Sequence, residues 1–453
     1  MTADAQLPRS SGLLWDVTRT LKLAGPVIVA RSGVLIMMAV DTAMTGRAGG
    51  DELAAFGIGL SPTIALTMLG LGFLLGVSIL TSQADGAGEP ARSGTIWKTG
   101  LWHAGLLGLV FVILCLFGEE LLLLIGQSPV LSENGGRVMQ MLGFGMPAVL
   151  IFVTCSFFLE GLSRPLPGML IMLGANVVNF GLNWVLIYGN LGFSGMGAEG
   201  AALATTLARW MTAFVILGYI WWMRDRDRFG IRNSRGDWAV GRRLRRLGYP
   251  MALAMFVEVA AFMAMTQMAG FLGNDATAGY QIAHNLVALV FMSAIGLGAA
   301  TGVRVGNAVG RQDPAGVRGA GLAGIGLVVV IMAVLGSFFL TMPEVLVNVY
   351  SGDPAVAAFA LPALAVAGSM MIFDGTQAVL VNALRALGDV WFPMGAQIVA
   401  FWILAAPVSW VLAFEMGYGT AGLMGGIYVG VVAATLINGA RFLVMAKRPL
   451  RRS

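Results

Sequence analysis

Apolar runs of about twenty residues recur along this chain from Leu21 to its end, separated by short polar breaks. That is about the length of helix that crosses a bilayer. Twelve such runs can be read, centred near residues 33, 67, 107, 148, 178, 210, 260, 292, 329, 368, 404 and 432. Short alternating segments, the mark of a membrane barrel, do not account for this pattern. The prediction is an all-α, polytopic membrane protein of about twelve transmembrane helices. Residues 1–20 are polar, so no cleavable signal peptide is expected.

The pattern also repeats. Pro26 and Pro250 are 224 residues apart, as are Gly46 and Gly270, Gly86 and Gly310, and Pro90 and Pro314. Pro167 matches Pro393, and "NWVL" (183–186) matches "SWVL" (409–412), both at 226. "LGFSGMG" (191–197) matches "MGYGTAG" (416–422) at 225. Six spans in each half make a parallel repeat about an axis along the membrane normal. The expected division is an N-terminal six-helix lobe (1–223), a basic cytoplasmic linker (224–246) and a C-terminal six-helix lobe (247–453). Two similar lobes around a cavity suit a transporter better than an enzyme.

Composition agrees with a membrane solvent. Of 453 residues 57% are hydrophobic and only 11% charged, too few charges to cover a soluble protein of this length. Mean hydropathy is +0.81. The 63 glycines suit closely packed membrane helices. Cys115 and Cys155 lie inside apolar runs, where a structural disulfide is not expected. The net charge of +5 is a topology signal rather than a binding surface. Among the 28 Lys and Arg, Arg47 and Arg137 alone follow odd-numbered spans, and Arg31 and Arg209 lie within spans. The stretch 224–250 carries nine. Positive-inside bias then puts both termini and that stretch in the cytoplasm. Anionic lipid is a secondary partner of these charges, and no nucleic acid partner is expected.

A few side chains are costly where they stand. Glu258 is the one ionisable residue in "MALAMFVEVAAFMAMTQMAG" (251–270), and Asp374 sits in "MMIFDGTQAVL". Asp41 closes the first span in "MMAVDTAMTG". Their counterparts across the repeat, Val34, the region of Val149, and Met265, are apolar. The architecture repeats and the charges do not, so these acids belong to chemistry rather than to the scaffold. An intramembrane carboxylate faces an interior or a cavity by default; it can take up a proton or bind a hard cation through oxygen. Asp41, close to a span end, could also cap or form an ion pair.

Asn176, Asn179 and Asn183 are spaced by three and four and line one helical face. Three asparagines on a stripe are expected to meet a hydrated cavity and, with Asp41 and Thr205 or Thr206, to form a polar site. In the second half Tyr280, Gln281, His284 and Asn285 share a turn and a half, and Gln377 follows Asp374 by one turn. Arg31, near the start of its span, is expected to snorkel. Arg209 is deeper and needs an acidic partner that the sequence does not identify.

Some functions are excluded. No Gly-x-x-x-x-Gly-Lys loop is present for ATP hydrolysis, and neither His-Glu-x-x-His nor Gly-x-Ser-x-Gly occurs. His103 and His284, the only histidines, make no histidine-rich metal site. No cofactor and no structural metal are expected.

"VDTAMTGRAGGDELAA", "GVSILTSQADGAG", "LEGLSRPLP" and "NALRALGDVWFP" resemble the signature stretches of the MATE (multidrug and toxic compound extrusion) transporters. "YPMALAMFVEVAAF" and "FDGTQAVLVNALRALGD" look like the bacterial NorM-type branch. The resemblance implies two six-helix lobes that rock to export cationic or amphipathic drugs in exchange for Na⁺ or H⁺. It also implies a multi-pass protein of the bacterial inner membrane, expected as a monomer. It assigns Glu258 and Asp374 as second-lobe cation-binding acids, with transient Na⁺ between them, and Asp41 and Asn179 to a first-lobe cluster. Two positions depart from the family pattern: Asn183 stands where some archaeal members have aspartate, and Met370 where a NorM-type tyrosine is expected. The main alternative is a flippase for lipid-linked intermediates. That cargo would want arginines in the cavity to hold diphosphate, and the spans hold more carboxylates than arginines.

Overall fold

The computed structural model describes residues 13–450 and Arg452, with side chains from Val17 onward. The part of the signal-peptide expectation that falls on residues 1–12 lies outside the described residues. Every regular element among them is helical. In the first half these are α1 (Leu13–Ala48), α2 (Gly50–Leu74), α3 (Gly76–Gly86), α4 (Arg92–Leu116), α5 (Gly118–Leu124), α6 (Pro129–Phe144), α7 (Met146–Gly161), α8 (Leu166–Leu186) and α9 (Gly197–Trp222). Then follow α10 (Trp238–Phe271), α11 (Asn274–Gly310), α12 (Pro314–Thr341), α13 (Pro343–Asn348), α14 (Pro354–Ala386), α15 (Trp391–Ile398), α16 (Ala406–Trp410) and α17 (Gly419–Met445).

Among the described residues, eleven stretches are long and apolar enough to cross a membrane, and the pair α6–α7, bent by 42°, makes a twelfth if it is one span. The fourth span is thus two helices meeting at Gly145. The eleventh is also irregular: Val399–Ala405 and Val411–Glu415 are wound as π-helix on either side of α16. Helix starts follow their local chemistry. Asp313 and Asp353 each precede a proline at the first helical position, and their carboxylates accept from the backbone N–H of Gly316 and Ala355, both at 2.9 Å.

The chain groups into two compact units. One comprises 29–263 with 390–398, the other 13–28, 264–389 and 399–450. The core of the first is built from Leu74, Val77, Leu150, Phe157, Phe158 and Ile216, with a second cluster around Phe56, Leu142 and Ala201. Its helices approach closely where glycine allows. A Cβ on Gly108 of α4 would lie 2.6 Å from the Cα of Pro147, just past the bend in the fourth span. The second unit packs Val305, Leu380, Leu384 and Phe442. There Gly426 of α17 lies against the backbone of Ser409, whose hydroxyl donates to the Leu423 carbonyl at 3.0 Å. Both cysteines are free and buried, and the Cys155 sulfur accepts from Trp97 Nε1 at 3.3 Å.

Outside the spans, Arg164 meets Asp225 at 2.5 Å. The hydrogen bond from Arg164, and then its charge, holds the Asp225 carboxyl below the usual carboxylate range. A depressed carboxyl stabilises the fold above its unfolded value, and that contribution is lost as pH falls through the folded one. Because Asp225 is 42% exposed, Asp225→Asn should cost less than about 1 kcal/mol. Thermal unfolding in detergent should show that small difference at neutral pH and its disappearance in acid.

Candidate functional site: a buried carboxylate ringed by neutral oxygens

The three-and-four spacing on α8 places Asn179 and Asn183 one above the other. Both face Asp41 of α1 and Thr205 of α9. Asn183 Nδ2 donates to Asp41 Oδ1 at 2.6 Å, and the Thr205 hydroxyl donates to Asp41 Oδ2 at 2.6 Å. The ring closes through Asn183 Nδ2 to Asn179 Oδ1 (3.2 Å) and Asn179 Nδ2 to the Thr205 oxygen (3.3 Å). All four are buried, the two asparagines completely. Asn183 Oδ1 is buried without a hydrogen-bond partner. The stripe therefore closes on Asp41 instead of lining an open hydrated cavity. Asn176 stays outside the ring, half-buried, with its Nδ2 on the Met172 carbonyl at 2.9 Å.

Both donors to Asp41 are neutral. Among the described residues no three His, Cys, Asp or Glu side chains converge, so neutral oxygens must complete any cation shell. This ring supplies them: Asn179 Oδ1, Asn183 Oδ1 and Thr205 Oγ1, beside the two carboxylate oxygens of Asp41. Such a hard, singly charged donor set fits a proton or a monovalent cation.

Directly beside the ring, α9 holds the bend of the fourth span. The break at Gly145 interrupts the helical ladder, although the Leu142 carbonyl still accepts from the Gly145 N–H at 3.0 Å. Thr206 Oγ1 donates to the Met141 carbonyl at 2.7 Å, Arg209 Nη1 to Leu142 at 3.4 Å and Trp210 Nε1 to Phe144 at 3.0 Å. Thr206 thus serves the bend while its neighbour Thr205 serves Asp41. Arg209 follows Thr205, the donor to Asp41, by one turn of α9. Arg31, expected to snorkel, instead meets Glu160 of α7 at 3.5 Å and lies 5.1 Å from the centroid of the Phe157 ring.

Glu258 of α10 is half-buried and accepts from Gln397 Nε2 at 3.0 Å. Gln397 is buried near the end of α15, two residues before the first π-helical stretch, and its Oε1 has no hydrogen-bond partner. In the second unit, Asp374 and Gln377 are buried on successive turns of α14. Asn438 of α17 is fully buried with neither amide atom hydrogen-bonded. Thr435 and Gly439, on either side of it, touch α14 at Phe373 and Leu380. The predicted group on α11 separates. Tyr280 is fully buried and stacks on His284 at 6.1 Å, whereas Gln281 is half-buried and Asn285 is exposed, its Nδ2 on the Gln281 carbonyl.

Sequence reasoning missed Glu160, Gln397 and Asn438. Glu160 carried a usable signal, being a second acid inside a span at the level of an unpaired arginine. Gln397 and Asn438 are single amides in apolar runs and carried none.

Many membrane-crossing helices, with a buried carboxylate held by neutral ligands on α1, α8 and α9, fit a multi-pass membrane transport protein. The MatE family model matches residues 26–185 and 250–411, and the chain belongs to that family of transporters. It is 33% identical over 440 residues to the probable multidrug resistance protein NorM of Caulobacter vibrioides, covering 97% of this chain and 92% of the relative. It is likewise 33% identical over 431 residues to the multidrug resistance protein NorM of Burkholderia vietnamiensis, covering 93% of each. Among solved structures it superposes on a eukaryotic MATE transporter with a TM-score of 0.87 at 21% identity, covering 96% of this chain and 98% of that one. An outward-facing multidrug resistance MATE transporter gives a TM-score of 0.88 at 18% identity, covering 98% and 100%.

Proposed function

We propose that this transporter is a cation-coupled multidrug antiporter, exporting organic cations or amphipathic drugs in exchange for Na⁺ or H⁺. The observation that carries the reading is the closed ring of Asp41, Asn179, Asn183 and Thr205. A carboxylate with neutral ligands is a place to load and unload one positive charge. Glu258 and Asp374 are the second-lobe acids of the same cycle, and Gln397 joins them as the ligand of Glu258. Tyr280, Gln281, Asn285 and Gln377 remain candidates for the drug path.

The name of the NorM relatives, multidrug resistance protein, supports the cargo class. Basic residues after even-numbered spans support cytoplasmic termini in a bacterial inner membrane. The internal repeat supports lobes 1–223 and 247–453 about the 224–246 linker, working as a monomer. A ligand shifts a conformational equilibrium only by its differential affinity for the two states. Loading from outside must therefore favour the state that releases drug.

The test is efflux of a fluorescent organic cation from vesicles, with a Na⁺ gradient and a pH gradient imposed separately. One of the two should drive export. Glu258→Gln and Asp374→Asn keep shape while removing charge, and each should lower the gradient-driven rate at least about tenfold with drug binding retained, since a single charge acts over a few ångströms in a medium of low dielectric. Normal pumping by both variants would remove the second-lobe acids from the cycle.

A further inference from the structure

Arg209 carries a permanent charge within the sixth span, one turn beyond Thr205 on the same helix. Thr205 donates to Asp41 at 2.6 Å. The Arg209 guanidinium makes one long bond, 3.4 Å to the Leu142 carbonyl, and no ion pair with a described residue. Its charge sits one helical turn from the side chain that holds Asp41. Its side chain passes over Gly145, where a Cβ would lie 3.0 Å from Cδ. A side chain at the bend would crowd this route.

An intramembrane arginine is costly unless something uses its charge. The Leu142 carbonyl does not require one: Thr206 and Trp210 serve its neighbours with a hydroxyl and an indole N–H. What does require a positive charge is Asp41 after the coupling cation has left, because its direct donors are all neutral.

We infer that Arg209 is a positioning residue of the transport cycle, the tethered counter-charge of Asp41 that opposes cation binding and so promotes cation release. The inference rests on the reading that Asp41 takes the coupling cation. Such a residue weakens binding and speeds unloading together. A cap on the bend would change neither selectively.

The experiment uses the full chain in proteoliposomes with a fluorescent organic cation. Sodium is titrated at fixed pH, and in a second arm pH is titrated without sodium. Arg209→Gln keeps a donor for Leu142 but loses the charge. In whichever arm drives efflux, its half-saturating cation concentration should fall about tenfold, because an opposing charge a few ångströms away has gone. Its maximal rate should fall too, as release slows. Arg209→Lys keeps the charge and should stay close to the parent. In an Asp41→Asn background, Arg209→Gln should have no further effect.

An unchanged half-saturating concentration in Arg209→Gln, with Asp41→Asn uncoupled, overturns the inference and leaves the Asp41 reading standing. Normal pumping by Asp41→Asn overturns the reading itself. Arg209→Met supplies a second neutral variant. If neither neutral variant folds while Arg209→Lys does, the charge serves the fold and the inference fails.

Discussion

Asp41→Asn should abolish gradient-driven efflux while leaving a folded protein that still binds drug. Asparagine has the shape of aspartate, so packing among Asn179, Asn183 and Thr205 is preserved. One of the two donors to the carboxylate, Asn183 Nδ2 or the Thr205 hydroxyl, then faces an amide N–H and must turn away. Trading charge-assisted for neutral hydrogen bonds costs about 1–2 kcal/mol of local stability. Affinity for a cation suffers far more. At about 4 Å and an effective dielectric of about 20, a unit charge pair is worth about 4 kcal/mol. Even after desolvation takes its share, cation affinity at this ring should fall at least about 100-fold. Vesicle efflux at matched protein levels, beside equilibrium drug binding, separates uncoupling from misfolding. A variant that still follows the imposed gradient would place the coupling charge at Glu258 or Asp374.

The second large effect concerns stability. Glu160 is 9% exposed, and the Arg31 guanidinium lies 3.5 Å away over the Phe157 ring. Removing one member of a buried pair strands the other charge, at a cost of about 3–5 kcal/mol. Glu160→Ala should therefore lower the thermal midpoint and the folded yield in detergent. Replacing both, as Arg31→Met with Glu160→Leu, should recover most of the loss, because no charge is then left without its partner. A double variant as unstable as the single one would mean that volume, not charge, is what that position needs.

Much of this was legible in the sequence because it depends on short spacings. The twelve spans follow from apolar runs, and the Asn179–Asn183 pair follows from helical periodicity. Asp41 and Thr205 stand out by their chemistry in apolar runs, and the packing of α1, α8 and α9 closes the ring. Long-range pairings left no such trace. Gln397 reaches Glu258 across 139 residues, and nothing in "FPMGAQIVAF" marks its glutamine. The break of the fourth span at Gly145 reads as an ordinary Gly-Met-Pro in an apolar run. Asn285 shows the opposite failure: helical spacing placed it near Tyr280 and His284, yet its side chain turns outward onto its own helix. Spacing fixes which residues share a turn, not which way a helix faces.

The bend at Gly145 also bears on how the protein is made. Spans leave the ribosome in order, so α6 and α7 reach the membrane before α9 exists. Until then the Met141 and Phe144 carbonyls lack the side chains of α9 that satisfy them, and lipid offers no substitute. The fourth span must wait in the insertion machinery, or enter straight and bend only when the sixth arrives. Either way, the first six helices commit to their final form as a group, with α9 completing the step.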